Sequence, residues 1–183
     1  TRLQKSNKVL VSDGIYSGDL EVILTLAAHT PVEIDIIKTN TSTGIIDLKE
    51  LEEKLCDGNY AAVAFSQQNS FGVVEDVDAI TNIAHQYNSK LIAVFDPMAI
   101  ASGGLKAPIE YGDKGADMIV AEAQSLCLEP NYGGPGLGVF GIRYNPDDKR
   151  SIRQSAGRFI GKTVDIKGTE CLTLILSTRE QHI

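Results

Sequence analysis

At 183 residues and 43% hydrophobic content, the chain is long enough to bury one substantial core, so one domain, or a domain with a short extension, is expected. Its 17 basic against 24 acidic side chains leave a net charge of -7, which repels phosphate backbones and argues against nucleic-acid binding as the main task. The chain has no signal-peptide pattern and no apolar run near the roughly 18 residues of a membrane span, so a soluble cytoplasmic or organellar-matrix protein without a membrane partner is expected.

In chain order, Lys8 to Ser12 is a short β-branched run of strand type. Ser17 is placed to cap a helix, with Asp19 in its first turn and Leu20, Ile23, Leu24 and Ala27 at helical spacing, and Pro31 stops it. Val32 to Ile37 alternates like a strand with one wet face, as an edge would. Asp47 to Glu50 resembles a capping box, after which Leu48, Leu51 and Leu55 form one apolar stripe ending at Asp57-Gly58. Tyr60 to Phe65 is nearly continuous apolar sequence, as in a strand covered on both faces. A helix follows from near Glu75 or Asp76, carrying Val77, Ile80, Ile83, Ala84 and Tyr87 inward, and Lys90 to Phe95 is the next buried strand, ending at Asp96-Pro97.

The C-terminal half reads less sharply. Ala107 to Asp113 fits a short surface helix, Pro108 being tolerated in its first turn. Met118 to Ala121 and Leu137 to Ile142 read as strands bracketing a polar turn at Glu122 to Ser125 and a glycine-rich loop. Asp147 to Arg153 is a charged run of the kind found on a solvated helix face, Arg158 to Asp165 is loop-like, and Leu172 to Leu176 reads as a last strand. Cys56, Cys127 and Cys171 form no Cys-x-x-Cys pair and read as three buried thiols. His29, His85 and His182 are equally scattered, so no metal site is expected.

Strands alternating with helices of about a dozen residues require crossover connections, hence an α/β fold with a three-layer, mostly parallel sheet. Ligands in such sheets sit beyond the carboxyl ends of the strands. Asn69 to Phe71, Asp96, and Glu122 to Ser125 all fall at such ends. Asp96 before Pro97 has an equal claim to be a cap or turn residue. Gln124 holds the slot where a Schiff-base lysine would be useful, yet glutamine forms no imine, and the nearest lysines are Lys114 and Lys149. Gly136, Gly138 and Gly141 match the dinucleotide spacing, but neither follow a strand directly nor open a helix.

The runs Phe71-Gly-Val-Val-Glu-Asp76, Gly104 to Gly112, Gly115 to Val120, Gly133-Gly-Pro135 and Thr178 to Ile183 resemble the P-protein of the glycine cleavage system, and are most similar to subunit 1 of its two-subunit form. The likeness runs over essentially the whole chain. It implies that residues 1–183 are the central part of a fold-type I, pyridoxal-phosphate (PLP) transferase-like large domain. The missing initial Met and the uncapped end at Thr178 to Ile183 agree with a fragment of a longer chain. The family's complex decarboxylates glycine and passes the aminomethyl group to the lipoyl arm of the H-protein.

Catalytic relatives carry a PLP-binding lysine at the Gln124 position, a ring-stacking histidine at Phe71 and an aspartate on the pyridine nitrogen at Asp96, of which only Asp96 is kept here. The resemblance therefore implies a glycine dehydrogenase (decarboxylating) subunit that binds no cofactor itself, with PLP in the partner, subunit 2, and Phe71, Asp96 and Gln124 as vestigial positions. Two alternatives stand beside it. One is a self-sufficient PLP enzyme using a displaced lysine such as Lys106 or Lys162, and the other a nucleotide-binding α/β module built on the glycine loop. Arg179 and His182 are further candidate ligands for a substrate carboxylate.

Overall fold

The computed structural model describes residues 6–145 and 159–175. The charged run Asp147 to Arg153, the motif Thr178 to Ile183, and with it Arg179 and His182, lie outside the described residues. The chain divides into two compact units, Thr1–Arg143 and Tyr144–Ile183.

The first unit holds a six-stranded sheet in the order β2-β1-β3-β4-β5-β6. Its strands are β1 (Lys8–Ser12), β2 (Glu33–Ile37), β3 (Tyr60–Ser66), β4 (Lys90–Phe95), β5 (Met118–Glu122) and β6 (Gly138–Ile142). The first five run parallel and β6 pairs antiparallel to β5. The mostly parallel α/β sheet expected from the sequence is thus present, with β2 on the edge where the Glu33-Asp35 alternation put it.

Each strand sends alternate side chains to opposite faces. Leu10, Val63, Phe65, Leu91 and Ala93 join one buried cluster with Leu51 and Leu55 of α2 (Leu48–Asp57) and Val77, Ile80 and Ala84 of α3 (Val77–Gln86). Val11 and Ala64 join a second cluster, against which Leu20 and Ile23 of α1 (Ser17–Ala27) pack. Coverage of this second face is incomplete. Leu24 is 42% and Leu26 68% exposed, and a groove of about 880 Å³ runs past Val9, Ile34, Ile92, Val94 and Val120. No helix of the described residues is long and apolar enough to cross a membrane.

Capping follows local chemistry. The Asp47 carboxylate accepts the amides of Lys49 (2.9 Å) and Glu50 (3.4 Å), so α2 starts where the sequence places it. Removing that acceptor in Asp47→Ala is expected to cost about 1 kcal/mol of stability, read by urea unfolding of the full-length protein. Asp76 caps α3 through the Ala79 amide at 3.1 Å.

Ser17 does not cap α1. It is the first helical residue, Tyr16 occupies the cap position, and no side-chain cap bond forms. The expected surface helix over Ala107 to Asp113 is only the 3₁₀ turn Pro108–Glu110, and Tyr111 after it is fully buried against Phe65, ring centroids 6.3 Å apart. The polar turn at Glu122 to Ser125 instead starts a one-turn helix, α5 (Gln124–Cys127), a counterpart to α4 (Pro97–Ala101) after β4. The thiols are not buried: Cys56 and Cys127 are exposed and Cys171 is intermediate.

In the second unit, β7 (Phe159–Val164) pairs antiparallel with β8 (Glu170–Ile175). The loop expected over Arg158 to Asp165 is therefore mostly strand. Asp165 makes the turn, its Oδ1 accepting the amides of Lys167 (2.8 Å) and Thr169 (2.9 Å), with Gly168 at φ +80°.

Candidate functional site

Five parallel strands deliver their carboxyl ends to one edge of the sheet, and the antiparallel β6 begins there. The chain leaving β3 at that edge is held by buried polar groups. The Gln67 carboxamide donates through Nε2 to the Tyr111 hydroxyl (2.8 Å) and the Lys106 carbonyl (3.1 Å), and accepts the Lys106 amide at 3.0 Å. Two residues later the Asn69 amide hydrogens go to the Gly44 carbonyl (2.7 Å) and Glu75 Oε1 (3.0 Å). Asn69 Oδ1 accepts the amides of Phe71 and Val73, both at 3.1 Å. Glu75 Oε2 accepts the Ile46 amide at 2.9 Å. Asn69 to Phe71 was expected at this strand end, but the partnership with Glu75 was not: Glu75 read as the start of a helix that begins two residues later.

Phe71 itself stands at the tip of the loop, 63% exposed. Asp96 follows β4 and caps α4, its Oδ1 accepting the Met98 amide at 2.8 Å, so the capping alternative describes its present contact. Gln124 is the first residue of α5 after β5, its amide donating to Glu122 Oε1 at 2.7 Å. These three positions thus leave three neighbouring strands, β3, β4 and β5, at the same edge. Asp96 and Ser125 line the groove of the second sheet face, whereas Phe71 and Gln124 do not. Among the described residues no hydrogen bond or ring contact joins Phe71 to Asp96 or Gln124.

The glycine loop lies against α5, a Cβ on Gly136 coming 3.5 Å from Gln124 Oε1. It opens onto strand β6, so no helix N-terminus stands ready for a pyrophosphate. A Cβ on Gly141 would lie 2.7 Å from the Ile119 side chain, which would have to shift to admit it. The displaced lysines are engaged elsewhere. Lys106 grips the Asp78 carboxylate at 2.7 and 2.8 Å, and Lys162 is paired with Glu170 across the β7-β8 hairpin.

Burial pushes the Glu75 carboxyl above the usual carboxylate range. Bonds from Asn69 and the Ile46 amide oppose the shift without cancelling it, and the nearby Asp13 adds to it. The folded state thus holds the proton to higher pH than the unfolded state. The Glu75 contribution to stability is greatest below the unfolded pKa near 4.5 and declines as pH rises through the folded value. Unfolding of the full-length protein compared with Glu75→Gln between about pH 4 and 7 should show the wild type losing ground as pH rises. A pH-independent difference would remove Glu75 from the titration.

At the opposite edge of the sheet, Asp117 accepts three donors: Leu91 N (2.9 Å), Lys90 Nζ (2.8 Å) and His85 Nε2 (2.8 Å). Burial pushes its carboxyl up, but the bonds from Lys90, the Leu91 amide and His85 outweigh that and hold it below the usual range. These contacts tie β4 to β5 and to the last turn of α3.

Comparison with known proteins gives a consistent result. The family described as glycine cleavage system P-protein matches residues 1–183. A probable glycine dehydrogenase (decarboxylating) subunit 1 from Francisella tularensis subsp. holarctica is 39% identical over 179 residues, covering 98% of this chain and 38% of the relative. One of the same description from Francisella philomiragia is 37% identical with the same coverage. The chain thus spans well under half the length of the curated relatives it matches. Among solved structures, an inhibitor-bound glycine decarboxylase (P-protein) of the glycine cleavage system superimposes with TM-score 0.77 at 29% identity, over 97% of this chain and 37% of that one. Cysteine desulfurase from Thermococcus onnurineus, at 18% identity and TM-score 0.60 over 91% of this chain and 39% of that one, shares the fold alone.

Proposed function

Because the chain belongs to the glycine cleavage system P-protein family, we propose that it works as part of glycine dehydrogenase (decarboxylating), as the subunit that carries no PLP of its own. Residues 1–183 are then the central part of its large domain. Gln124 carries the reading: the residue that begins α5 at the carboxyl end of β5 bears a carboxamide, which cannot condense with an aldehyde. The residues present therefore do not fit a covalently held carbonyl cofactor. Asp96 is engaged as a helix cap and Phe71 offers no imidazole. In this reading Phe71, Asp96 and Gln124 are vestigial positions of a PLP site, and the cofactor belongs to the sister subunit.

The partners that follow are subunit 2 and the lipoylated H-protein, and the compartment is the cytoplasm. What this chain supplies is framework: a rigid sheet edge whose loops are fixed by buried polar bonds. The test uses the full-length protein co-expressed with its sister subunit. The two should co-purify, and glycine-bicarbonate exchange in the presence of H-protein should require both. Exchange by the full-length form of this chain alone, or failure of the pair to assemble, would overturn the proposal.

A further inference from the structure

The connection between β2 and α2 closes on itself at the carboxyl edge of the sheet. Thr39 and Ile46 pair as an isolated antiparallel bridge, Asn40 N donates to Ile45 O at 2.8 Å and Gly44 N to Asn40 O at 2.7 Å, with Gly44 at φ +73°. Residues 41–43 at its tip are exposed, whereas Ile46 at its far end is buried.

Two carboxyls hold the two ends of this loop. Asp13, from the connection after β1, accepts the Thr39 amide on Oδ1 at 2.7 Å, and Glu75, from the connection after β3, accepts the Ile46 amide on Oε2 at 2.9 Å. Asn69 adds a third tie, its amide group donating to both Gly44 O (2.7 Å) and Glu75 Oε1 (3.0 Å). The two carboxyls thus grip the two partners of one bridge, near enough for the charge of Asp13 to oppose that of Glu75. At 4% exposure Glu75 has little water to screen it. Among the described residues no ion pair reaches either carboxyl. Residues 39–46 include no ionisable side chain, Lys38 before them is exposed, and the flanking Asp47 and Asp76 cap α2 and α3.

We propose that the 39–46 loop is a pH-sensitive flap, clasped at its two ends by Asp13 and Glu75 and loosened when both carboxyls are ionised. With Glu75 protonated, the base of the loop holds the Asp13 charge alone and stays closed. Ionisation sets a second charge beside it out of water. Swinging residues 39–46 outward lets water reach Glu75, where its ordinary affinity for the proton returns. Opening and loss of the proton therefore favour each other, so the open fraction grows as pH rises from the ordinary value near 4.5 through the folded one, then levels off. These contacts all lie within the first unit, and the proposal needs nothing of the sister subunit.

The test follows amide hydrogen exchange of the full-length protein between about pH 4.5 and 8, each rate being compared with that of the unfolded chain at the same pH. Asn40 and Gly44, whose N-H groups end on loop carbonyls and not on a carboxyl, report the loop as a whole. Their protection should fall several-fold as pH rises, and should do so independently of urea too dilute to unfold β3, the mark of a local opening. Glu75→Gln should flatten the profile. Asp13→Asn, which keeps an oxygen for the Thr39 amide but removes the charge, should shrink the fall. Wild-type protection that is constant with pH, a fall that survives in Glu75→Gln, or loop amides that exchange only as slowly as those of β3 would overturn the proposal. Where Glu75→Gln does not fold, Asp13→Asn decides, since an undiminished fall there removes the paired charges as its cause.

Discussion

Phe65→Ala is expected to destabilise the full-length protein by about 3–5 kcal/mol. Phe65 lies on β3, the third strand of six, fully out of water. Removing the ring deletes its apolar burial and opens a cavity beside Tyr111, whose hydroxyl is itself held by Gln67. Parallel strands flanked on both sides cannot collapse into that space, so little of the cavity term is recovered. Phe65→Leu should recover much of the loss by refilling volume. Urea unfolding followed by far-UV circular dichroism measures both, and a Phe65→Ala cost under about 1 kcal/mol would mean the site relaxes freely.

Asp117→Ala is expected to cost about 3 kcal/mol at neutral pH. It strips one acceptor from three donors at once and leaves the Leu91 amide without its partner where two strands begin. The effect has a defined pH course. The folded carboxyl is held below its ordinary value, so the stabilisation is complete above the unfolded pKa near 3.8 and disappears as pH falls through the lower folded value. Wild type and variant should therefore converge in acid. Parallel stability curves down to about pH 2 would contradict this account of Asp117.

The sheet was legible in the sequence because β3 is buried on both faces and its neighbour β4 is as apolar. Tyr60 to Phe65 and Lys90 to Phe95 read as near-continuous apolar runs, and such runs need helices on either side. Helices with a carboxylate at the cap, Asp47 and Asp76, were equally legible, since the cap bond is local. Failures occurred where long-range contacts decide. Tyr111 belongs to the core only because β3 brings Phe65 beneath it, a contact across forty-six residues that no local pattern announces. The β7-β8 hairpin was half missed because neither face of Phe159 to Val164 alternates cleanly, Gly161 and Lys162 interrupting the run.

For the candidate site, the division is similar. That Asp96 and Gln124 fall at neighbouring strand ends follows from parallel topology plus the positions of two apolar runs. The Asn69-Glu75 network did not follow, since its partners, Gly44, Ile46 and Gly14, come from other connections and have no side-chain signature. Ser17 misled because serine is a good cap in isolation, whereas here Tyr16 takes that place.

At the carboxyl end of β5 this chain offers a carbonyl cofactor the Gln124 carboxamide in place of a lysine. The full-length protein and its sister subunit, loaded together with pyridoxal phosphate, reduced with borohydride, digested and examined by mass spectrometry, decide the matter. A phosphopyridoxyl-lysine on the sister subunit alone is the predicted result. A stoichiometric adduct on any lysine of this chain, Lys106 and Lys162 included, would contradict it.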